Sequence, residues 1–373
     1  MKVLCIPILA CALLAQSDLP VRARSRPSPA PAPRKAFPIG KPIEIKAPLG
    51  LPPVPIPKDN PPTRETVELG RHLFHDKLFS RDNTLSCASC HNPKFAMADP
   101  NRFSKGVNNQ LGNRQAPTVL NAAYNEIQFW DGRAPTLEAQ AEGPVLNPVE
   151  LGHSLEGVVR KLSANPKYVR LFAKAWGAGT ITYEMVAKSI ASYERTLVSG
   201  NSPFDRFYYG GQQDAINESA KRGLKFYLNP SLKAANCISC HRIDEHFATF
   251  TEPRFHNTGV AWDVKRTALL DIGRFAISPT QRQEGAFRTM TLRNIALTAP
   301  YMHDGSMKTL EEVMDFYFEG GRPNPTISND MPAPGLAEIP KAQQAQAKKD
   351  LVEFLKTLTG DMPPDMGPPE DLP

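Results

Sequence analysis

CASCH at positions 87–91 and CISCH at positions 237–241 decide how this chain is read. In each, two cysteines stand one helical turn apart and a histidine follows the second directly. Both sulfurs can then form thioethers to the vinyl groups of one haem, with the histidine under the iron as an axial ligand. A single CxxC could equally be a zinc or redox pair. Two CxxCH copies weaken that alternative, because the only other cysteines are Cys5 and Cys11 near the start. The sequence therefore predicts two covalently bound haems c, one on Cys87, Cys90 and His91 and the other on Cys237, Cys240 and His241.

What faces the first iron from its other side is a separate question. From Ser86 to Asn113 the chain reads SCASCHNPKFAMADPNRFSKGVNNQLGN, with no histidine after His91 and a single methionine, Met97. Met97 lies very close to the attachment motif. Upstream, His72 and His75 are near enough to count as minor ligand candidates. A lone histidine is more often a hydrogen-bonding group than a ligand, and the same applies to His153, His246, His256 and His303.

The 373 residues suffice for two ordinary domains with real cores. Hydrophobic residues make up 41% and charged residues 22%, with a net charge of +6 and no lysine/arginine block, so nucleic acid is a poor partner. After the start no apolar run approaches the ~18 residues of a membrane span. The start itself, MKVLCIPILACALLAQS, reads as a secretory signal over residues 1–23, implying export to the periplasm. Cys11, after ILA, loosely resembles a lipoprotein acceptor, but the apolar stretch before it is short and plain export is preferred. An oxidising compartment would permit disulfides, yet the two motifs use every cysteine beyond the signal.

Residues 24–62 are proline-rich, as in RPSPAPAPRKAFP and LPPVPIPKDNPP, and favour extended polyproline II. They read as a spacer or a surface-hugging arm. Beyond them four segments carry helical periodicity: TRETVELGRHLFHDKLF, TYEMVAKSIASYERTLV, TLEEVMDFYFEGG and KKDLVEFLKTLTG. The third opens on a Thr309–Glu312 capping box and ends at a glycine pair. Alternating strand patterns are nearly absent. The expected fold is mainly α: two cytochrome c-like haem domains with long irregular loops, over residues 63–205 and 215–360, and a tail at 361–373.

The stretches QFWDGRAPTLEAQAEGPVLNPVE and TLRNIALTAPYMHDGSMKTLEEVMDFY, set around the two motifs, resemble the bacterial di-haem cytochrome c peroxidases and their MauG-like relatives over about residues 64–360. The resemblance implies a first haem that meets hydrogen peroxide and a second that stores or relays electrons. Trp130 matches the tryptophan between the haems. Gln140 and Glu150 match the polar pair over the peroxidatic haem, and Pro144 the proline over its face. Cleaving an O–O bond needs a group that moves a proton from the near oxygen to the leaving one, a role that suits Glu150. Read without the resemblance, Trp130 is core and Glu150 caps the helix beginning near Ser154.

Two positions separate the branches of this family. Aligned from His91 and from Trp130, Val107 stands where histidine-gated peroxidases carry a ligating histidine. Tyr317 occupies the slot after His303-Asp304-Gly305 where those peroxidases carry a methionine and MauG-like enzymes a tyrosine. Tyr317 shares a helix face with Leu310 and Val313; Met302, Met307 and Met314 lie nearby as alternative ligands. The resemblance further implies one Ca²⁺, with Thr298 and Pro300 as carbonyl donors and Gln115 in place of an asparagine.

These features favour a MauG-like oxidase that uses peroxide to reach a state with two Fe(IV) centres and withdraws electrons from a partner protein, at a side chain such as tryptophan. The alternatives are a cytochrome c peroxidase fed by a small cytochrome or cupredoxin, and a di-haem electron-transfer protein without chemistry of its own.

Overall fold

The computed structural model describes residues 36–229, 237–331 and 339–372. The signal segment, Cys11 and the first part of the proline-rich stretch lie outside the described residues. Among the described residues twelve α-helices run in order as α1 Arg64–His75, α2 Cys87–Cys90, α3 Leu137–Gln140, α4 Gly143–Leu146, α5 Leu155–Ala164 and α6 Pro166–Trp176, then α7 Tyr183–Glu194, α8 Pro203–Tyr208, α9 Glu218–Leu228, α10 Cys237–Cys240, α11 Leu310–Phe318 and α12 Lys341–Lys356. The strands are two-residue pieces: β1 Phe255–His256 pairs antiparallel with β4 Phe287–Arg288, and β2 Trp262–Asp263 with β3 Ala268–Leu269. The mainly α expectation agrees with this helix-rich architecture.

Local chemistry explains the helix ends. Thr63 and Thr66 cap α1 reciprocally, and the helix stops at His75; the rest of the predicted segment makes a separate 3₁₀ turn, Lys77–Phe79. At α11 the Thr309 hydroxyl accepts from the Glu312 amide, but the Glu312 carboxylate reaches the Lys308 amide, so the predicted capping box closes one residue further out. Past its end Gly320 and Gly321 have φ of +84° and +78°, which side-chain-bearing residues rarely adopt.

The apolar stripes bury into two cores. The first contains Leu69, Leu73 and Phe74 of α1 with Val186, Ile190 and Tyr193 of α7. The second contains Leu224 and Tyr227 of α9 with Leu351, Phe354 and Leu355 of α12. Each fully buried Leu or Phe contributes about 1.5–3 kcal/mol. One device sets both crossings. A Cβ on Gly70 would lie 1.9 Å from the Ser189 carbonyl oxygen and 2.9 Å from Tyr193 Cβ; one on Gly223 would lie 2.0 Å from the Asp350 carbonyl oxygen and 2.8 Å from Phe354 Cβ. Only glycine lets the helix pairs approach so closely.

Residues 36–62 lie along both cores. The Ile39 amide donates to the Ala175 carbonyl, and buried Asn60 donates to Glu138 and to the Lys188 carbonyl. Further along, the Gly50 carbonyl accepts from the Ala248 amide and, at 2.6 Å, from Arg293. Arg293, fully buried, also forks onto Asp205 at 2.9 Å through both terminal nitrogens. After α12 the chain returns to the first core, where Met362 and Met366 pack. There Arg71 binds Asp365 and the Gly367 carbonyl, and Asp371 meets both His72 and Lys167.

Candidate functional site

Both CxxCH motifs fold as one helical turn closed by the histidine. The His91 amide donates to the Cys87 carbonyl at 3.0 Å, and the His241 amide to the Cys237 carbonyl at 2.8 Å. The imidazoles are oriented alike, with His91 Nδ1 3.0 Å from the Pro117 carbonyl oxygen and His241 Nδ1 2.9 Å from that of Phe250. A carbonyl at Nδ1 fixes the proton there and leaves Nε2 as the donor atom toward a metal. Burial lowers the proton affinity of both rings, which keeps them neutral as a ligand must be. The four cysteines form no disulfides among themselves. These features fit two covalently attached haems.

A cavity of about 280 Å³ opens around the second motif, lined by Cys237, Cys240, His241, Trp130, Tyr317 and His303 among others. Leu310, Val313 and Tyr317 of α11 all face it, as their helical spacing requires. The Tyr317 hydroxyl makes no hydrogen bond to the described protein, and burial pushes its pKa well above the ordinary tyrosine value. Met302 and Met314 line the same cavity and Met307 does not.

Around the first motif the structure brings Glu150 and Val107 together. The Val107 amide donates to the Glu150 carbonyl at 2.8 Å, and Val107 is buried at 1% exposure. Gly106 packs on the Val149 and Glu150 carbonyls, and a Cβ on Gly152 would meet Val107 Cγ2 at 2.9 Å. The Glu150 carboxylate accepts from Asn147 Nδ2 at 2.7 Å. Burial raises its pKa, opposed by the Asn147 bond and the Arg133 charge, and its own charge is felt at the Cys90 thiol. Ser154, not Glu150, caps α5, which leaves the carboxylate out of that structural role. Pro144 opens α4 and accepts from the Leu151 amide, while Gln140 ends α3 just before that turn.

Met97 is fully buried, and its carbonyl, with that of Pro117, faces the His91 ring. His72 uses both ring nitrogens, on the Glu68 carbonyl and Asp371. His75 points at the Tyr193 hydroxyl.

Trp130 is half-buried rather than core. Its indole N–H donates to the Gln115 carbonyl at 2.8 Å, and the Gln115 amide donates to the His303 carbonyl at 2.8 Å. His303 in turn stacks on Phe287, ring centroids 3.7 Å apart, and meets Trp130 edge-on at 6.3 Å. Gln115, Thr298 and Pro300 line the same cavity, and the Gln115 side-chain amide donates to the Asp99 carbonyl. A third feature joins the halves: Arg114 binds Asp131 at 2.6 Å and forks onto Asp271 at 2.7 and 2.9 Å.

The chain matches known proteins over most of its length. The family described as "Di-haem cytochrome c peroxidase" matches residues 64–213. The Methylamine utilization protein MauG of Methylorubrum extorquens is 39% identical over 306 residues, 82% of this chain and 81% of that protein. The chain belongs to the di-haem cytochrome c peroxidase family. It is thus a peroxidase-type oxidoreductase with two c-type haems. Cytochrome c551 peroxidase of Pseudomonas aeruginosa is 34% identical over 310 residues, covering 82% of each chain. A crystal structure of a MauG-like protein associated with microbial copper homeostasis superposes with a TM-score of 0.75 at 34% identity, covering 86% of this chain and 98% of that one. Among the described residues no helix is long and apolar enough to cross a membrane.

Sequence reasoning missed several supporting residues. Asn147 could have been found from its place three residues before Glu150 in NPVE. The Pro117 and Phe250 carbonyls leave no side-chain signal. The group Cys240, Glu252 and His256, with ligand atoms within 4.8 Å of one another, looks like a metal site. However, Cys240 belongs to the attachment motif, and Arg254 and Arg242 already face Glu252.

Proposed function

We propose that this protein is a MauG-like oxidase of two cytochrome c-like domains, 63–205 and 215–360, exported to the periplasm. It uses hydrogen peroxide to oxidise a side chain such as tryptophan on a partner protein. The observation that carries the reading is Val107, a buried aliphatic residue bonded to Glu150 at the position where a histidine-gated peroxidase needs its removable ligand. An open first haem site requires no reductive activation.

Cys87, Cys90 and His91 would hold the first haem, whose iron would supply the redox chemistry for cleaving the O–O bond of peroxide. Glu150, its proton affinity raised by burial and its orientation fixed by Asn147, takes the proton from the near oxygen and delivers it to the far one, which leaves as water. Gln140 orients peroxide, and Pro144 limits the space above the first haem's face. The reduction of peroxide to two waters consumes two protons and two electrons, and the electrons come from the partner side chain. Trp130, fixed by Gln115, carries them between the haem sites. Tyr317 would hold the second haem iron together with His241, and its phenolate would favour the ferric and higher states. A Ca²⁺ ion with Gln115, Thr298 and Pro300 among its oxygen donors completes the reading.

A second reading, a peroxidase fed by an electron-donor protein, draws on Met302 and Met314, which share the cavity with Tyr317 and would give a His/Met second haem. Val107→His tests the first reading. The account expects a new low-spin first haem and a peroxide reaction that now needs prior one-electron reduction. A wild type already low-spin at that haem would contradict it.

A further inference from the structure

The two helix crossings correspond position by position in their glycine contacts. Ser189 and Tyr193 of α7 meet Gly70 as Asp350 and Phe354 of α12 meet Gly223. At the same offset Val186, Ile190, Tyr193 and Leu197 fall on Ala347, Leu351, Phe354 and Leu358, all buried. Among the pairs buried on both helices, one breaks the match of polar to polar and apolar to apolar, Glu194 against Leu355. Leu355 lines the cavity that holds Cys237, Cys240 and His241. The register therefore sets Glu194 at the equivalent position of the first core, where its charge is felt at the Cys87 thiol.

A carboxyl is costly there. Glu194 is 4% exposed and its Oε2 is buried without a hydrogen-bond partner among the described residues. Its neighbour Arg195 is committed elsewhere, forking onto Glu138 of α3 at 2.8 and 3.2 Å. The charged and titratable groups around Glu194 are Arg195 and Tyr193 on α7, Glu138 on α3 and Cys87 on α2. A purely structural role would be served better by the leucine of the second core.

We propose that Glu194 is the proton-exchanging group of the first haem: its carboxylate takes up one proton when the iron gains one electron, and releases it when the iron loses that electron. The haem edge carries the changing charge, so uptake keeps net charge constant in a region of low dielectric. Burial already raises the Glu194 pKa to about 8, opposed by Arg195 and reinforced by Glu138. The proposal requires only haem attachment at Cys87, Cys90 and His91, and holds whichever reaction the protein performs.

The test uses the full two-haem protein. The potential of the first haem is followed from pH 6 to pH 10, alongside the reduced-minus-oxidised infrared spectrum of protein labelled with ¹³C-glutamate. Wild type should take up one proton per electron across part of this range. It should also gain, on reduction, a carboxylic-acid C=O band that shifts with the label and persists in Glu150→Gln. Glu194→Gln and Glu194→Leu should lose both signals while the second haem's potential keeps its pH profile. Should neither variant fold, the labelled Glu150→Gln protein decides alone: a missing band overturns the proposal, as does a band or a first-haem pH profile that survives in Glu194→Gln.

Discussion

The two cores are built alike and differ where their haems would be served. Each has a glycine-spaced helix crossing, one attachment turn, and a histidine whose Nδ1 faces a backbone carbonyl. Near the first motif lie a buried valine, a carboxylate hydrogen-bonded to Asn147, and a second carboxyl with one buried oxygen unpartnered among the described residues. Near the second lies an apolar cavity lined by a tyrosine whose hydroxyl makes no hydrogen bond among the described residues. The shared scaffold holds a haem, and the differing residues assign its task. On the proposed reading the first site is open and handles protons, whereas the second is closed by its own side chain and handles electrons.

The largest effect should come from separating those tasks. Glu150→Gln keeps the Asn147 contact but cannot shuttle a proton, so the peroxide step should slow about 10²–10⁴-fold, read by stopped-flow absorbance, with the second haem's spectrum unchanged. Tyr317→Phe should do the opposite, changing the second haem's ligand-field bands while the first haem still binds peroxide. If both variants altered both haems equally, the division of labour would be wrong.

The shared scaffold can be probed in parallel. Gly70→Ala and Gly223→Ala each press a methyl against a carbonyl about 2 Å away, and should each cost about 1–3 kcal/mol of stability in chemical denaturation. Similar losses would support a common crossing, and a harmless change at either glycine would argue against it.

A further effect is a pH dependence to which His75 in the first core contributes. Burial lowers the His75 pKa to about 4 from the ordinary 6.5, so the folded state holds this ring neutral. Between these values the unfolded chain binds more protons, so stability should fall as pH drops from about 6.5 towards 4. His75→Phe should make that part of the denaturation profile shallower, His303 keeping a share of the slope, and an unchanged slope would exclude His75 as a source.

Much of this could be read in the sequence because periodicity and spacing are local. Leu310, Val313 and Tyr317 face one cavity as their helical spacing required, and the CxxCH turns follow from two five-residue strings. The arm was legible as extended chain, but not its path over both cores, since backbone hydrogen bonds from Gly50 and Ile39 carry no residue signature. The return of residues 361–372 to the first core was equally silent, because Arg71, His72 and Lys167 are separated from their partners by most of the chain. Glu194 was missed for a different reason. In SYERTL a glutamate beside an arginine looks like a solvated pair, and only the folded packing shows it buried opposite the place of Leu355.

The central claim is that the first haem meets peroxide without prior reduction. Hydrogen peroxide added to the fully ferric protein, with no reductant, tests it by optical and near-infrared absorption. The account predicts immediate loss of a high-spin ferric signal and a near-infrared charge-resonance band shared by the two haems. A resting protein with two six-coordinate low-spin haems that ignores peroxide until one electron is supplied would contradict it.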